Sequence, residues 1–141
     1  MNEPPPSNRV LRRIGALFAG LLVVVVPSIA TDAVLHATGV FRPEGQLTPD
    51  PVWLLATAYR LAYGIAGCYV AARLAPDRPM RHAVGLSLVG VAVSIVGAFV
   101  AWDKGPEFGP RWYGVAVFAI QLPCGWIGGR LQGLRASGKA T

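Results

Sequence analysis

Apolar residues along this chain fall into four long runs that are separated by short polar segments. The runs cover about residues 14–36, 52–74, 83–102 and 112–131. A helix needs about 20 mostly apolar residues to cross a bilayer, and each run reaches that length. None of the runs alternates polar and apolar residues as barrel strands do, and lipid permits only helices and closed barrels. The pattern therefore predicts an all-α polytopic membrane protein, a bundle of four transmembrane helices.

The segments outside the apolar runs are rich in turn-forming residues or in charge. Glycines and prolines mark the three breaks between runs, at Gly39, Pro43, Gly45, Pro49, Pro51, Pro76, Pro79, Gly105, Pro106, Gly109 and Pro110. We expect residues 1–13 to form a disordered basic tail in the cytoplasm. We expect residues 132–141 to form a second cytoplasmic tail after the last helix.

The first apolar run has an alternative interpretation as a cleaved signal peptide. The arginines before it fit a basic n-region, and Ser28-Ile29-Ala30 fits the small-x-small pattern of a cleavage site. Against this, the apolar run continues beyond Ala30 as far as Leu35. This continuation favours a helix that is retained in the membrane.

The composition agrees with a membrane protein rather than a soluble one. Of 141 residues, 53% are hydrophobic and 14% are charged, against about 25% charged in an ordinary soluble domain. The mean hydropathy is +0.47. These values exclude a disordered chain and argue strongly against a soluble globular domain.

The net charge of +6 is best explained by membrane topology. Nine Lys and Arg residues fall on the side of the two termini, namely Arg9, Arg12, Arg13, Arg73, Arg78, Arg81, Arg130, Arg135 and Lys139. Only Arg42, Lys104 and Arg111 fall on the opposite side. The positive-inside rule then predicts both termini in the cytoplasm of a bacterial inner membrane. The charge therefore requires the lipid bilayer as a partner and no nucleic acid.

Ionisable residues inside a membrane are costly, so each one within the apolar runs is a candidate functional residue. Asp32 lies near the end of the first run, and His36 follows one turn later on the same face. Arg60 lies within the second run and can extend toward Asp32 by snorkelling. We predict an Asp32–Arg60 ion pair with His36 near it and with hydroxyls from Tyr59 and Tyr63. It would act as a helix–helix staple or as a proton- or anion-responsive site, unless each group is solvated independently.

Other polar and metal-ligating residues give weaker signals. Gln121 lies near the centre of the fourth run and is expected to form an interhelical hydrogen bond. His36 and His82 fall at opposite ends of the bundle, so they cannot bind one metal together, although a haem or pigment held by a single histidine stays open. Cys68 and Cys124 are expected to be small core residues. We predict no metal site and no cofactor.

Small residues recur at helical spacing in three of the runs. The clearest series is Gly125, Gly129 and Gly133 in the fourth run. Similar series are Ala58, Ala62 and Ala66 in the second run and Gly90, Ser94 and Ala98 in the third. Such faces let helix backbones approach closely in lipid. Packing among four helices requires fewer small-residue faces than the sequence contains. This excess favours contact with other membrane subunits or with further copies of the chain.

The break after the second run resembles a motif. A rigid basic turn formed by Arg73, Arg78, Arg81 and His82 would suit lipid headgroups or an acidic partner surface, and the alternative is ordinary topogenic charge. Residues 73–83, RLAPDRPMRHA, and 123–131, PCGWIGGRL, resemble a group of small bacterial four-helix integral membrane proteins without an assigned activity. The resemblance implies that fold and carries over no catalytic residue.

The motifs of soluble enzymes are missing from the sequence: it has no glycine-rich phosphate loop after a strand, no His-Glu-x-x-His and no Gly-x-Ser-x-Gly. We therefore expect a non-catalytic protein, either an accessory or structural subunit of a membrane assembly or a self-associating scaffold. The alternative is a small oligomeric transporter or channel with Asp32, Arg60 and Gln121 near its path.

Overall fold

Four α helices account for most of the chain. The computed structural model describes residues 6–43 and 45–139, and its helices are α1 (Pro6–Ala37), α2 (Asp50–Leu74), α3 (Pro79–Trp102) and α4 (Arg111–Ser137). A single 3-10 turn (Pro106–Phe108) precedes α4. All four α helices are long and apolar enough to cross a membrane. This confirms the predicted all-α, four-helix class.

The helices extend beyond the apolar runs at both ends of the chain. Because α1 begins at Pro6, the prediction of a disordered tail was wrong for residues 6–13, and residues 1–5 lie outside the described part. The C-terminal tail is likewise helical as far as Ser137. Hydropathy identifies only the part of a helix that lipid can bury. A helix continues past that limit because its backbone bonds stay satisfied while long charged side chains reach out to water.

Prolines fix where α2 and α3 begin. Pro51 lies in the first turn of α2, and Pro79 is the first residue of α3. A proline at these positions costs no helical hydrogen bond, since the N–H groups of the first turn have no intrahelical partner. The predicted breaks are therefore correct, but both helices begin a few residues before their apolar runs do.

The bundle has two chemically different ends. The basic end carries the start of α1, the α2–α3 connection and the end of α4, with Arg13, Asp77 and Arg135. The aromatic end carries the other connections, with Trp53 and Tyr113. Helix α2 is central, because it packs against the other three helices, while α3 and α4 pack along each other.

The half of the bundle toward the basic end is tightly packed. Its buried residues are Cys68, Ala71, Ala72, Ala83, Leu86 and Cys124. Backbones meet where Gly20 of α1 faces Gly67 of α2: a Cβ added to Gly20 would lie 2.7 Å from the carbonyl oxygen of Gly67. Both cysteines are free and buried, in agreement with small core residues.

At the aromatic end, rings tie the first connection to α2 and α4. The Phe41 ring meets Trp53 edge-on at 5.3 Å between centroids, and Trp53 lies 4.7 Å from the Tyr113 ring. Trp53 Nε1 donates to the carbonyl of Thr48 at 3.2 Å. Gly109, with φ of +119°, brings the connection between α3 and α4 against Trp53. These contacts close the aromatic end over the bundle.

Candidate functional site

An ion pair joins α1 and α2 toward the aromatic end. Arg60 Nη2 lies 2.7 Å from Asp32 Oδ2, and the two side chains are 28% and 31% exposed. Tyr59 donates its hydroxyl to Asp32 Oδ1, and one turn away the hydroxyls of Thr31 and Tyr63 are 2.9 Å apart. The structure thus brings Asp32, Arg60 and Tyr59 together as predicted, whereas the Tyr63 hydroxyl is paired with Thr31 and not with the ion pair.

His36 does not join this group. Its ring stacks on Phe41 with 5.0 Å between centroids and an interplanar angle of 24°. The first connection folds back over the end of α1, where the Phe41 N–H donates to the carbonyl of Leu35. This turn places an aromatic ring beside the histidine. That His36 lies near the ion pair stays a prediction: it follows Asp32 by one turn of α1, and its ring contact is with Phe41.

A further side chain beside the ion pair comes from α4. Tyr113 lies beside Arg60, close enough for their side chains to interact. One nitrogen of Arg60 is not satisfied: its Nε is buried and has no hydrogen-bond partner within the described residues. The sequence did not single out Tyr113 for this role. Its only signal was its position as an aromatic residue at the start of the fourth run.

The ion pair lies on the wall of a large crevice between α1 and the α3–α4 pair. The crevice has a volume of about 1100 Å³ and reaches from the aromatic end down to Leu21, Cys68 and Leu86. Below that level α1 closes onto its neighbours, because Gly20 faces Gly67 and Leu86. Above it, α1 and α3 are separated. The chain therefore leaves an opening in its own side.

Small and apolar residues form most of the crevice surface. The α3 wall includes Gly90, Ser94, Gly97 and Ala98, three of which belong to a small-residue series noted in the sequence. The polar groups are few. They include Asp32, Arg60, Gln121, Ser28 and Tyr113.

Gln121 faces α3 from the fourth helix. A Cβ added to Gly90 would lie 2.5 Å from Gln121 Oε1, so the amide side chain rests directly on the Gly90 backbone. It lines the same crevice as Asp32 and Arg60. The three predicted path residues therefore share one cavity, although Gln121 is not among the contacts of the ion pair.

The basic turn is held by an ion pair that the sequence analysis missed. Arg13 of α1 binds both carboxylate oxygens of Asp77, with Nε to Oδ1 at 3.1 Å and Nη2 to Oδ2 at 2.6 Å. The hydrogen bonds to Arg13 keep the pKa of Asp77 below its usual value, with smaller contributions from the charges of His82 and Arg78. The available signal was that Asp77 is the sole carboxylate within a basic segment.

The residues predicted for this turn do not form a single cluster. Arg78 adopts a left-handed conformation with φ of +44° just before α3. His82 Nδ1 lies 3.4 Å from the Arg78 carbonyl, and Arg81 is exposed. Arg73 instead lies beside Tyr69 of α2. The turn is therefore a compact helix start with exposed arginines around it.

Two of the three glycines predicted for packing contact α3. A side chain at Gly125 would overlap Ser87, and one at Gly129 would lie 2.5 Å from Met80 Sδ. Gly133 has nothing within 4 Å of its Cβ position, so its predicted packing role was wrong within this chain. Gly128, which the spacing did not select, lies against Cys68 of α2. α4 therefore uses glycines on two faces, toward α2 and α3.

Metal binding finds no support in the part of the chain that the structure describes, where no three His, Cys, Asp or Glu residues form a group able to hold a metal ion. Comparison of the chain with protein-family models, curated proteins and solved structures gives no match. A function must therefore be inferred from the geometry of the chain itself.

Proposed function

We propose that this chain is a non-catalytic integral membrane protein that acts as an accessory subunit or scaffold of a membrane assembly. In this proposal the crevice receives a transmembrane helix of another subunit. The observation that carries it is the separation of α1 from α3 along one side of the bundle, which leaves about 1100 Å³ unfilled. Interiors are normally packed to high density, so an opening of this size favours a missing packing partner.

The dimensions and surface of the crevice suit a helix. Its α1 wall runs from Leu21 to Asp32, which is about 16 Å or three turns of a helix. Its α3 wall carries Gly97, whose Cβ position is open, and small residues allow the close backbone approach that drives helix association in lipid. Ser28 and Ser94 add hydroxyl groups that can bond across helices.

Site-specific photo-crosslinking in the native membrane tests this proposal. A photoreactive benzophenone residue at Gly97 would point into the crevice, where a Cβ has nothing within 4 Å. The control is the same residue at Val96, which is adjacent and 62% exposed but does not line the crevice. We expect one crosslinked product of discrete mass from Gly97 and none from Val96.

Stoichiometry separates a subunit from a chance neighbour. Native mass spectrometry from mild detergent is expected to give the same partner at a fixed ratio. Ser94→Trp, which fills the crevice, is expected to remove both the crosslink and the complex. Equal crosslinking at Gly97 and Val96, or a monomer without protein partners, contradicts the proposal.

A second candidate function is a small oligomeric transporter or channel. The observation in its favour is that Asp32, Arg60 and Gln121 line one crevice. A pure homo-oligomer in native mass spectrometry would favour this function. The charge-swapped variant Asp32→Arg with Arg60→Asp would then separate the two roles: recovered folding with lost flux supports transport, and no flux in either protein supports the scaffold.

We also propose that the protein lies in a bacterial inner membrane with both termini in the cytoplasm. The excess of arginine at the basic end supports it through the positive-inside rule. Single cysteines at Lys104 and Ser137, in a background with Cys68→Ala and Cys124→Ala, test it with an impermeant maleimide on intact cells. Labelling at Lys104 alone is expected, and labelling at Ser137 alone would reverse the topology.

A further inference from the structure

A second concave surface lies on the opposite flank of α2, where it meets α4. This α2–α4 groove has a volume of about 600 Å³ and is lined by Ala62, Ile65, Ala66, Tyr69, Leu131 and Arg135, among others. Ala62 and Ala66 are exposed, so the α2 wall is low and smooth. The groove runs toward the basic end and becomes polar there.

The polar mouth of the groove is organised around one hydroxyl. Arg135 Nη1 donates to Tyr69 Oη at 2.9 Å, and Arg73 lies close enough to interact with the same hydroxyl. Both arginines are exposed. Tyr69 thus holds the Arg135 guanidinium beside the end of an apolar groove, and Arg73 follows Tyr69 by one turn of α2.

The charge of these arginines is not balanced by nearby carboxylates. Along α2 the only acidic residue is Asp50, at the far end, and α4 has none. Among residues 6–43 and 45–139, the one carboxylate at the basic end is Asp77, and Arg13 engages it. The mouth of the groove is therefore cationic and suits an anion.

From this geometry we propose that the α2–α4 groove binds one anionic phospholipid. Its phosphate bridges Arg73 and Arg135, and one acyl chain lies over Ala62 and Ala66. Basic pockets between transmembrane helices bind anionic lipid headgroups, and arginine forms strong hydrogen bonds with phosphate. The alanine surface gives the acyl chain continuous contact. This site is distinct from the crevice and does not depend on the proposed function.

Lipid retention in native mass spectrometry tests the proposal with a matched charge control. The purified protein is exchanged into detergent with equal amounts of phosphatidylglycerol and phosphatidylcholine. We expect one retained phosphatidylglycerol. Arg73→Gln with Arg135→Gln is expected to lower that retention roughly tenfold, because two headgroup contacts are lost. Arg9→Gln with Arg12→Gln removes the same charge at the same end and is expected to change retention little.

The groove itself is tested by Ala66→Phe. This position is exposed, so the substitution fills the groove without disturbing the bundle, which an unchanged unfolding midpoint verifies. Retention is expected to fall although both arginines remain. The proposal is overturned if the two double variants lose lipid equally, if phosphatidylcholine is retained as well as phosphatidylglycerol, or if Ala66→Phe binds as the unmodified protein does.

Discussion

Arg13 and Asp77 are 64 positions apart in the chain, yet they meet through two parallel hydrogen bonds. The contact ties the start of α1 to the connection between α2 and α3. Since both side chains are nearly half exposed, at 48% and 41%, water weakens the attraction. The pair therefore fixes geometry at the basic end more than it stabilises the fold.

This contact predicts a small loss of stability in acid. Arg13 lowers the pKa of Asp77 in the folded protein, so the carboxylate stabilises the fold above its unfolded pKa of about 3.9. That contribution is lost as the pH falls from there through the lower folded pKa. Unfolding in mixed micelles between pH 6 and pH 2 measures it. Asp77→Asn removes the carboxylate, so the free energy of unfolding of this variant is expected to fall less between pH 6 and pH 2. A fall as large as that of the unmodified protein would contradict the assignment.

Removing one member of the Asp32–Arg60 pair is expected to destabilise the bundle. Asp32→Ala or Arg60→Ala leaves a charge in an apolar wall, which we expect to lower the free energy of unfolding by about 1–3 kcal/mol, less than for a fully buried pair. The double variant is expected to lose less than the sum of the two. Tyr59→Phe, a control that removes one hydrogen bond, is expected to cost about 1 kcal/mol. Strict additivity in the cycle would mean that the two charges do not interact.

The close approach of α1 and α2 predicts opposite effects of the same substitution at two glycines. Gly67→Ala would push a methyl group against Val24 and the Gly20 backbone, and overpacking of this kind typically costs about 1–3 kcal/mol. Gly15→Ala meets nothing within 4 Å and is expected to stabilise α1 by up to about 1 kcal/mol through helix propensity. Denaturant titration of the two variants compares them. Equal tolerance at both positions would contradict the contact.

Neither native cysteine is expected to react with a thiol reagent in the folded protein. Cys68 and Cys124 are 2% and 1% exposed, so a membrane-permeant maleimide should label them only after denaturation. Ser137→Cys, at an exposed position, is the positive control and should label at once. Labelling of Cys124, which lies against Gly64 of α2, at the rate of that control would mean that the α2–α4 contact opens.

The number and type of the helices could be predicted from hydropathy, because lipid burial requires an unbroken apolar length. The contact between Asp32 and Arg60 followed from depth alone, since two opposite charges on adjacent helices at similar depth have few other partners. Helix ends were less accurate. The start of α1 depends on backbone bonding through Arg9 to Arg13, which an apolar window does not register.

The crevice and the second ion pair could not be predicted from the sequence. Small residues have the same pattern whether a helix covers them or not: Gly90 lies against Gln121 of α4, while Gly97 is open. Which alternative holds depends on which helices lie beside each small residue, and the contacts of Gly20 with Gly67 and Leu86 are known only from the folded chain. Similarly, Asp77 has several arginines nearby in sequence, and folding selects the distant Arg13.

The order of contacts along the chain has a consequence for biogenesis. Two ion pairs of α1, Asp32 with Arg60 and Arg13 with Asp77, use partners that precede α3 in the sequence. Once the chain has passed the insertion machinery as far as Asp77, the partners of both of these contacts have been synthesised. The hairpin of α1 and α2 can therefore form these two ion pairs during synthesis, before α3 and α4 enter the bilayer.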